Sequence, residues 1–149
     1  MSSHSVDRAR ARAAFERAEA GTEEVFGDFF LARLLGLEIS YPGEACEVAF
    51  TVEEFMFNPR GTLHGGVMAT ALDIAMGHLI HRQHGGPGTT LEMKIQYVAA
   101  ARHGRVVCRG ESLRRGGTWF LKAEARDEAG ALLAFATATW KLLKPKPAA

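Results

Sequence analysis

Asp73 is the only charged side chain between Gly61 and Ile80, and its neighbours include Met68, Ala71, Leu72, Ile74, Ala75, Met76 and Leu79. A carboxylate in such company is costly to bury unless a partner holds it. Two roles fit: a structural carboxylate satisfied by hydroxyls or a backbone amide, or a base or nucleophile held in an apolar setting for chemistry. The same apolar segment opens on His64-Gly65-Gly66. The first N–H groups of a helix lack internal acceptors and carry the positive end of its dipole. With no side chain at Gly65 or Gly66, a ligand oxygen can approach those donors, which suits an anion or a developing oxyanion. The plainer alternative is that the glycines ease a turn or a crowded contact.

The residues between these groups predict one helix, from about Gly65 to His81, closed by the turn signal HGGPG. Asp73 then lies eight residues past Gly65, roughly 12 Å along the axis at about 1.5 Å per residue. One reacting carbonyl cannot touch both. If two such helices pack antiparallel about a twofold axis, Gly65 of one chain faces Asp73 of the other. The helix is apolar nearly all round, so every side needs cover, and a single twisted sheet wraps only part of it. An oligomer follows from that reading.

The elements around the helix are read from periodicity. Before it, EACEVAFTV alternates, with Cys46, Val48, Phe50 and Val52 on one side. After it come TTLEMKIQYV, RVVCRGESL, TWFLKAEARD and ALLAFATATWKLL, the later ones separated by the turn signals RRGG and EAGA. In the first of these, Leu91, Met93, Ile95 and Tyr97 are expected to share one face. Short turns predict that the four strands form an antiparallel meander. Residues 6–20, rich in Ala, Arg and Glu, predict a peripheral helix, and FGDFFLARLLGL a short helical stretch with a sticky face. The expected organisation is an N-terminal helix in 1–25, one α+β domain over 26–144 and a disordered tail at 145–149.

Composition narrows the partners. A formal net charge of +1 over 149 residues offers no bulk attraction to nucleic acid or to an anionic membrane. Gly61–Ile80 is long enough to span a bilayer, yet its glycines, His64 and central Asp73 make it a poor membrane helix. Cys46 and Cys108 form no CxxC pair, and the N-terminus carries no apolar signal core, so a reducing cytoplasm is expected. His78, His81 and His84 have spacings a metal could use, but no acidic ligand follows, and no metal site is expected.

The string FNPRGTLHGGVMATALDIAMG, with Asn58 six residues before His64 and Asp73 nine after it, closely resembles the hotdog-fold thioesterases of the PaaI-like group, which includes phenylacetate-pathway and THEM-like acyl-CoA thioesterases. The resemblance runs from about Phe29 to Leu143 and implies a long helix wrapped by an antiparallel sheet. It further implies a homodimer or homotetramer with active sites between subunits and an acyl-CoA substrate, without cofactor. By the same resemblance Asp73 is general base or nucleophile, the Gly65 N–H is the oxyanion donor beside Gly66, and Asn58 helps place the water or the thioester. The resemblance also has His64 shape the loop and Thr90 steady the water. Separately, Arg114 and Arg115 in the hairpin RRGG are either ordinary soluble surface or, because Arg suits phosphate, a grip for coenzyme A phosphate, and the second is the expectation. VAAARHG departs from the pattern, lacking a proline often found near Ala100. The alternative within the same fold is a non-catalytic acyl-CoA binding or sensing protein.

Overall fold

The computed structural model describes residues 5–22 and 27–144. The expected boundary at residues 25 and 26 and the tail at 145–149 lie outside them. Helix α1, Arg8–Ala20, starts where the Asp7 carboxylate accepts the N–H groups of Ala9 and Arg10. Only Ala14 and Ala18 of this helix are buried. Its Phe15 ring meets Phe30 at 5.4 Å between centroids, so α1 packs against the short helix α2, Phe30–Leu34.

Strands β1 (Glu38–Ser40) and β2 (Cys46–Thr51) follow, then a 3-10 turn at Glu54–Met56 and the long helix α3, Gly65–His84. Strands β3 (Gly88–Tyr97), β4 (Arg105–Arg114), β5 (Thr118–Arg126) and β6 (Leu132–Leu142) complete one antiparallel sheet. Its order is β1-β2-β4-β5-β6-β3.

The expected four-strand meander is therefore only partly present: β4, β5 and β6 form it, while β3 crosses to the far edge and pairs with β6. The reason is spatial. Helix α3 carries the chain across the sheet from β2, so β3 enters at the opposite edge and leaves β4 free to pair with β2. Strand β1, three residues against Ala49, Val48 and Glu47, had no alternation of its own to announce it.

The inward faces of the strands bury Cys46, Val48, Phe50, Val106, Cys108, Leu121, Ala123, Ala136 and Ala138 against α3. Small residues set the distance. A Cβ on Gly110 would lie 3.1 Å from the carbonyl carbon and oxygen of Ala75, so β4 and α3 are in backbone contact there. This sheet buries most of α3; over the first half of the helix it leaves a narrow strip with Gly66 exposed and Ala69, Thr70 and Asp73 partly so, and at the C-terminal end His81, Arg82 and His84 are exposed. The outer edge of β3 has no partner strand among the described residues.

Candidate active site

Asp73 sits in the middle of α3 on that uncovered strip, and the Thr90 hydroxyl donates to its Oδ1 at 2.7 Å. Half-burial holds the carboxyl above its usual range, while the Thr90 bond pulls it partly back. A carboxylate raised in this way is a better proton acceptor than one in water.

A β-bulge delivers Thr90 to this position. Thr90 pairs with Trp140 and Glu92 with Thr139, so Leu91 is an extra residue in the β3–β6 ladder. Strict alternation back from Met93 and Ile95 puts Leu91 inside and Thr90 outside. The extra residue reverses this: Thr90 points at α3, and Leu91 is 57% exposed. The expectation that Leu91 shares the buried face is corrected accordingly.

At the other end of β3 a cleft of about 320 Å³ is lined by Asn58, Thr62, Leu63, Gly65, Tyr97, Val98, Ala99 and Ala100. His64 caps α3, its Nδ1 accepting the Gly66 N–H at 2.8 Å. The Gly65 N–H has no acceptor among the described residues and is the open donor of this turn. Asn58 shapes the cleft wall. Its Nδ2 donates to Thr62 Oγ1 at 2.7 Å, and its Oδ1 accepts the Arg60 N–H at 2.9 Å. The Asn58 side chain thus closes the turn before His64 as well as facing the cleft.

One chain brings Gly65 and Asn58 together and joins Asp73 to Thr90, but Asp73 does not line the Gly65 cleft. Arg114 and Arg115 lie apart from both, at the β4–β5 hairpin. Arg115 donates to Glu44 at 2.8 Å and to Ser112 at 3.2 Å, and its guanidinium lies 5.6 Å from the centroid of the Trp119 ring. The Arg114 side chain makes no hydrogen bond or ion pair among the described residues. Tyr97, read from the sequence only as one more inward apolar position, donates its hydroxyl to the Gly65 carbonyl at 2.8 Å. The signal that was there to read is a phenol at the end of an inward-facing series.

Other candidate groups fall away from the site. Burial pushes the thiols of Cys46 and Cys108 up to about 12, so both stay protonated and are poor nucleophiles. Among the described residues no cluster of three or more His, Cys, Asp or Glu side chains could hold a metal. His78 is buried with its Nδ1 3.0 Å from the Tyr41 hydroxyl, whereas His81 and His84 are exposed. Among the described residues no helix is long and apolar enough to cross a membrane.

Comparison with known proteins adds to this geometry. A family model described as the thioesterase superfamily matches residues 60–134, a span that includes His64, Gly65, Gly66, Asp73, Thr90, Arg114 and Arg115 and stops short of Asn58. Human acyl-coenzyme A thioesterase 13 is 38% identical over 92 residues, covering 58% of this chain and 64% of that protein. The matched region is thus less than two thirds of the relative's length. The crystal structure of a Bacillus halodurans protein with CoA superposes with a TM-score of 0.85 at 23% identity, covering 97% of this chain and 99% of the other. A Haemophilus influenzae thioesterase superposes with a TM-score of 0.73 at 22% identity, covering 78% and 85%. Both share the fold, a long helix wrapped by an antiparallel sheet. The chain belongs to the thioesterase superfamily and has its hotdog fold.

Proposed function

We propose that this protein hydrolyses acyl-CoA thioesters, using Asp73 of one subunit and the Gly65 N–H of another. The observation that carries this reading is a half-buried carboxylate, raised above its usual range and steadied by Thr90, on the strip of α3 that its own sheet leaves open. A homodimer packs two such strips antiparallel and brings each Asp73 to the partner's cleft. The unpaired edge of β3 supports the same association, and pairing of two dimers gives a tetramer.

In the reaction, the Asp73 carboxylate takes a proton as a water oxygen attacks the thioester carbonyl carbon. The oxyanion that forms accepts from the Gly65 N–H at the helix N-terminus, where the dipole favours negative charge. Collapse of that intermediate breaks the C–S bond, and the coenzyme A sulfur leaves with the proton that Asp73 had taken. Asn58 and Gly66 border the path of the thioester, and His64 fixes the turn. Arg114 and Arg115 meet the carrier's phosphates. Apolar Leu63 and Val98 with the Tyr97 ring suit an arylacetyl or medium-chain acyl group. Free, buried cysteines suit a reducing cytoplasm.

Thiol release from a panel of acetyl-, octanoyl- and phenylacetyl-CoA tests the proposal. Turnover of the apolar members above acetyl-CoA is the expected result. Tight binding of the panel without any thiol release assigns the protein to acyl-CoA binding instead.

A further inference from the structure

The Gly65–Gly66 peptide is held from both sides. Its carbonyl oxygen accepts from the Tyr97 hydroxyl at 2.8 Å, and its N–H donates to His64 Nδ1 at 2.8 Å. Both glycines answer to this clamp. A Cβ on Gly65 would lie 3.1 Å from Tyr97 Cζ, and a Cβ on Gly66 would lie 3.0 Å from His64 Nδ1. The next carbonyl is held as well, since Gly66 O accepts from Thr70 Oγ1 at 2.9 Å. Among the described residues the N–H of Gly65 finds no acceptor, and Gly65 borders the cleft.

Tyr97 arrives there on a rigid support. It is the last residue of β3, in register with Ala134 of β6, and the two following N–H groups, of Val98 and Ala99, both donate to Leu133 O. Tyr97 is 56% exposed as a residue, so packing alone does not explain why its ring stands over the helix start. Strand β3 therefore holds both halves of the site, with Thr90 on Asp73 at one end and Tyr97 on Gly65 at the other.

We infer that Tyr97 is a positioning residue: with His64, its hydroxyl fixes the Gly65–Gly66 peptide, the one next to the peptide that carries the Gly65 N–H, and so holds the helix start in the shape that keeps that N–H facing the oxyanion. This rests on the thioesterase reading above. A donor set before the reaction stabilises developing charge without reorganising, and one free to rotate loses that advantage. Partial burial holds the phenol somewhat above its ordinary value, and a phenol is already a donor at neutral pH without that shift.

The test is Tyr97→Phe, which keeps the ring, beside Tyr97→Leu, which removes it. Both are compared with wild type for kcat and KM on the best acyl-CoA and for the Gly65 and Gly66 amide signals by ¹⁵N NMR. The expected result for Tyr97→Phe is a kcat lower by about tenfold or more, the scale of a misaimed oxyanion donor, with KM little changed. The two glycine signals should move and the Gly66 amide should exchange faster. Wild-type kcat in Tyr97→Phe with a crippled Tyr97→Leu overturns the inference, because the ring then acts by packing. If wild type releases no thiol from any acyl-CoA, the hydrolase reading fails by itself. The clamp is then judged on the NMR signals, where unmoved Gly65 and Gly66 amides in Tyr97→Phe overturn it and displaced ones support it.

Discussion

Thr90 and Asp73 meet through a 2.7 Å hydrogen bond that ties the start of edge strand β3 to the middle of α3. The bond depends on a single extra residue, Leu91, because without that bulge Thr90 faces the other side of the sheet. Burial and the Thr90 hydroxyl act on Asp73 in opposite directions, and burial is the stronger.

Thr90→Val removes the opposing influence while keeping the shape of the side chain. The Asp73 carboxyl, already raised, should rise further. The proposed mechanism requires the ionised form, so the acid limb of the kcat/KM profile should move to higher pH. The loss is then greater in mildly acidic buffer than at neutral pH. A pH–rate series on both proteins checks this, and an unmoved limb means that Thr90 does not act through the carboxylate.

The two arginines of the β4–β5 hairpin should differ. Arg115 is occupied by Glu44, Ser112 and the Trp119 ring, whereas the Arg114 guanidinium has no side-chain partner among the described residues. Arg114→Ala should raise KM for acyl-CoA severalfold, more than Arg115→Ala does, and leave an N-acetylcysteamine thioester almost unaffected. Added salt should weaken acyl-CoA binding in wild type and less so in the Arg114 variant. Equal losses on both substrates place the effect in the hairpin's structure rather than in phosphate contact.

A site shared between subunits can be rebuilt from two inactive proteins. On the proposed mechanism Asp73→Asn and Gly65→Ala should each spoil every site of their own homodimer, whereas a mixed dimer should keep one site with an intact Gly65 and an intact Asp73. An equimolar mixture refolded together should recover roughly a quarter of the wild-type rate, half the dimers being mixed and each carrying one good site. Light scattering on the same samples reports the assembly. No recovery in a mixture shown to exchange subunits rules out the shared site.

What the sequence shows of this molecule is what is local. The period of EACEVAFTV, the apolar run closed by HGGPG and the turn at RRGG all lie within a few residues, and β2, α3 and the β4–β5 hairpin stand where they indicate. Pairing between distant strands leaves no such mark, so the turn signals alone imply β3 beside β4, whereas the helix carries it beside β6. The bulge at Leu91 was hidden for the same reason, since it exists only relative to Thr139 and Trp140 on another strand. Asp73 was legible because a carboxylate in an apolar run is conspicuous on its own. Tyr97 was not: an aromatic in an alternating strand looks like core, and its hydroxyl gains meaning only when the strand end meets Gly65.

The most direct measurement is turnover and thermal unfolding of Asp73→Asn on one preparation. The folded-state carboxyl is raised, so stability is lost as pH climbs from the unfolded to the folded pKa, and the full cost of the buried charge is present at neutral pH. Asparagine removes that charge and keeps an oxygen for Thr90. The melting temperature at neutral pH should therefore hold or rise, while kcat falls on the order of 10² or more, the scale of lost general-base catalysis, with KM little changed. A variant that melts lower yet turns over acyl-CoA at the wild-type rate per folded molecule contradicts the account, because Asp73 is then a structural carboxylate and the chemistry lies elsewhere.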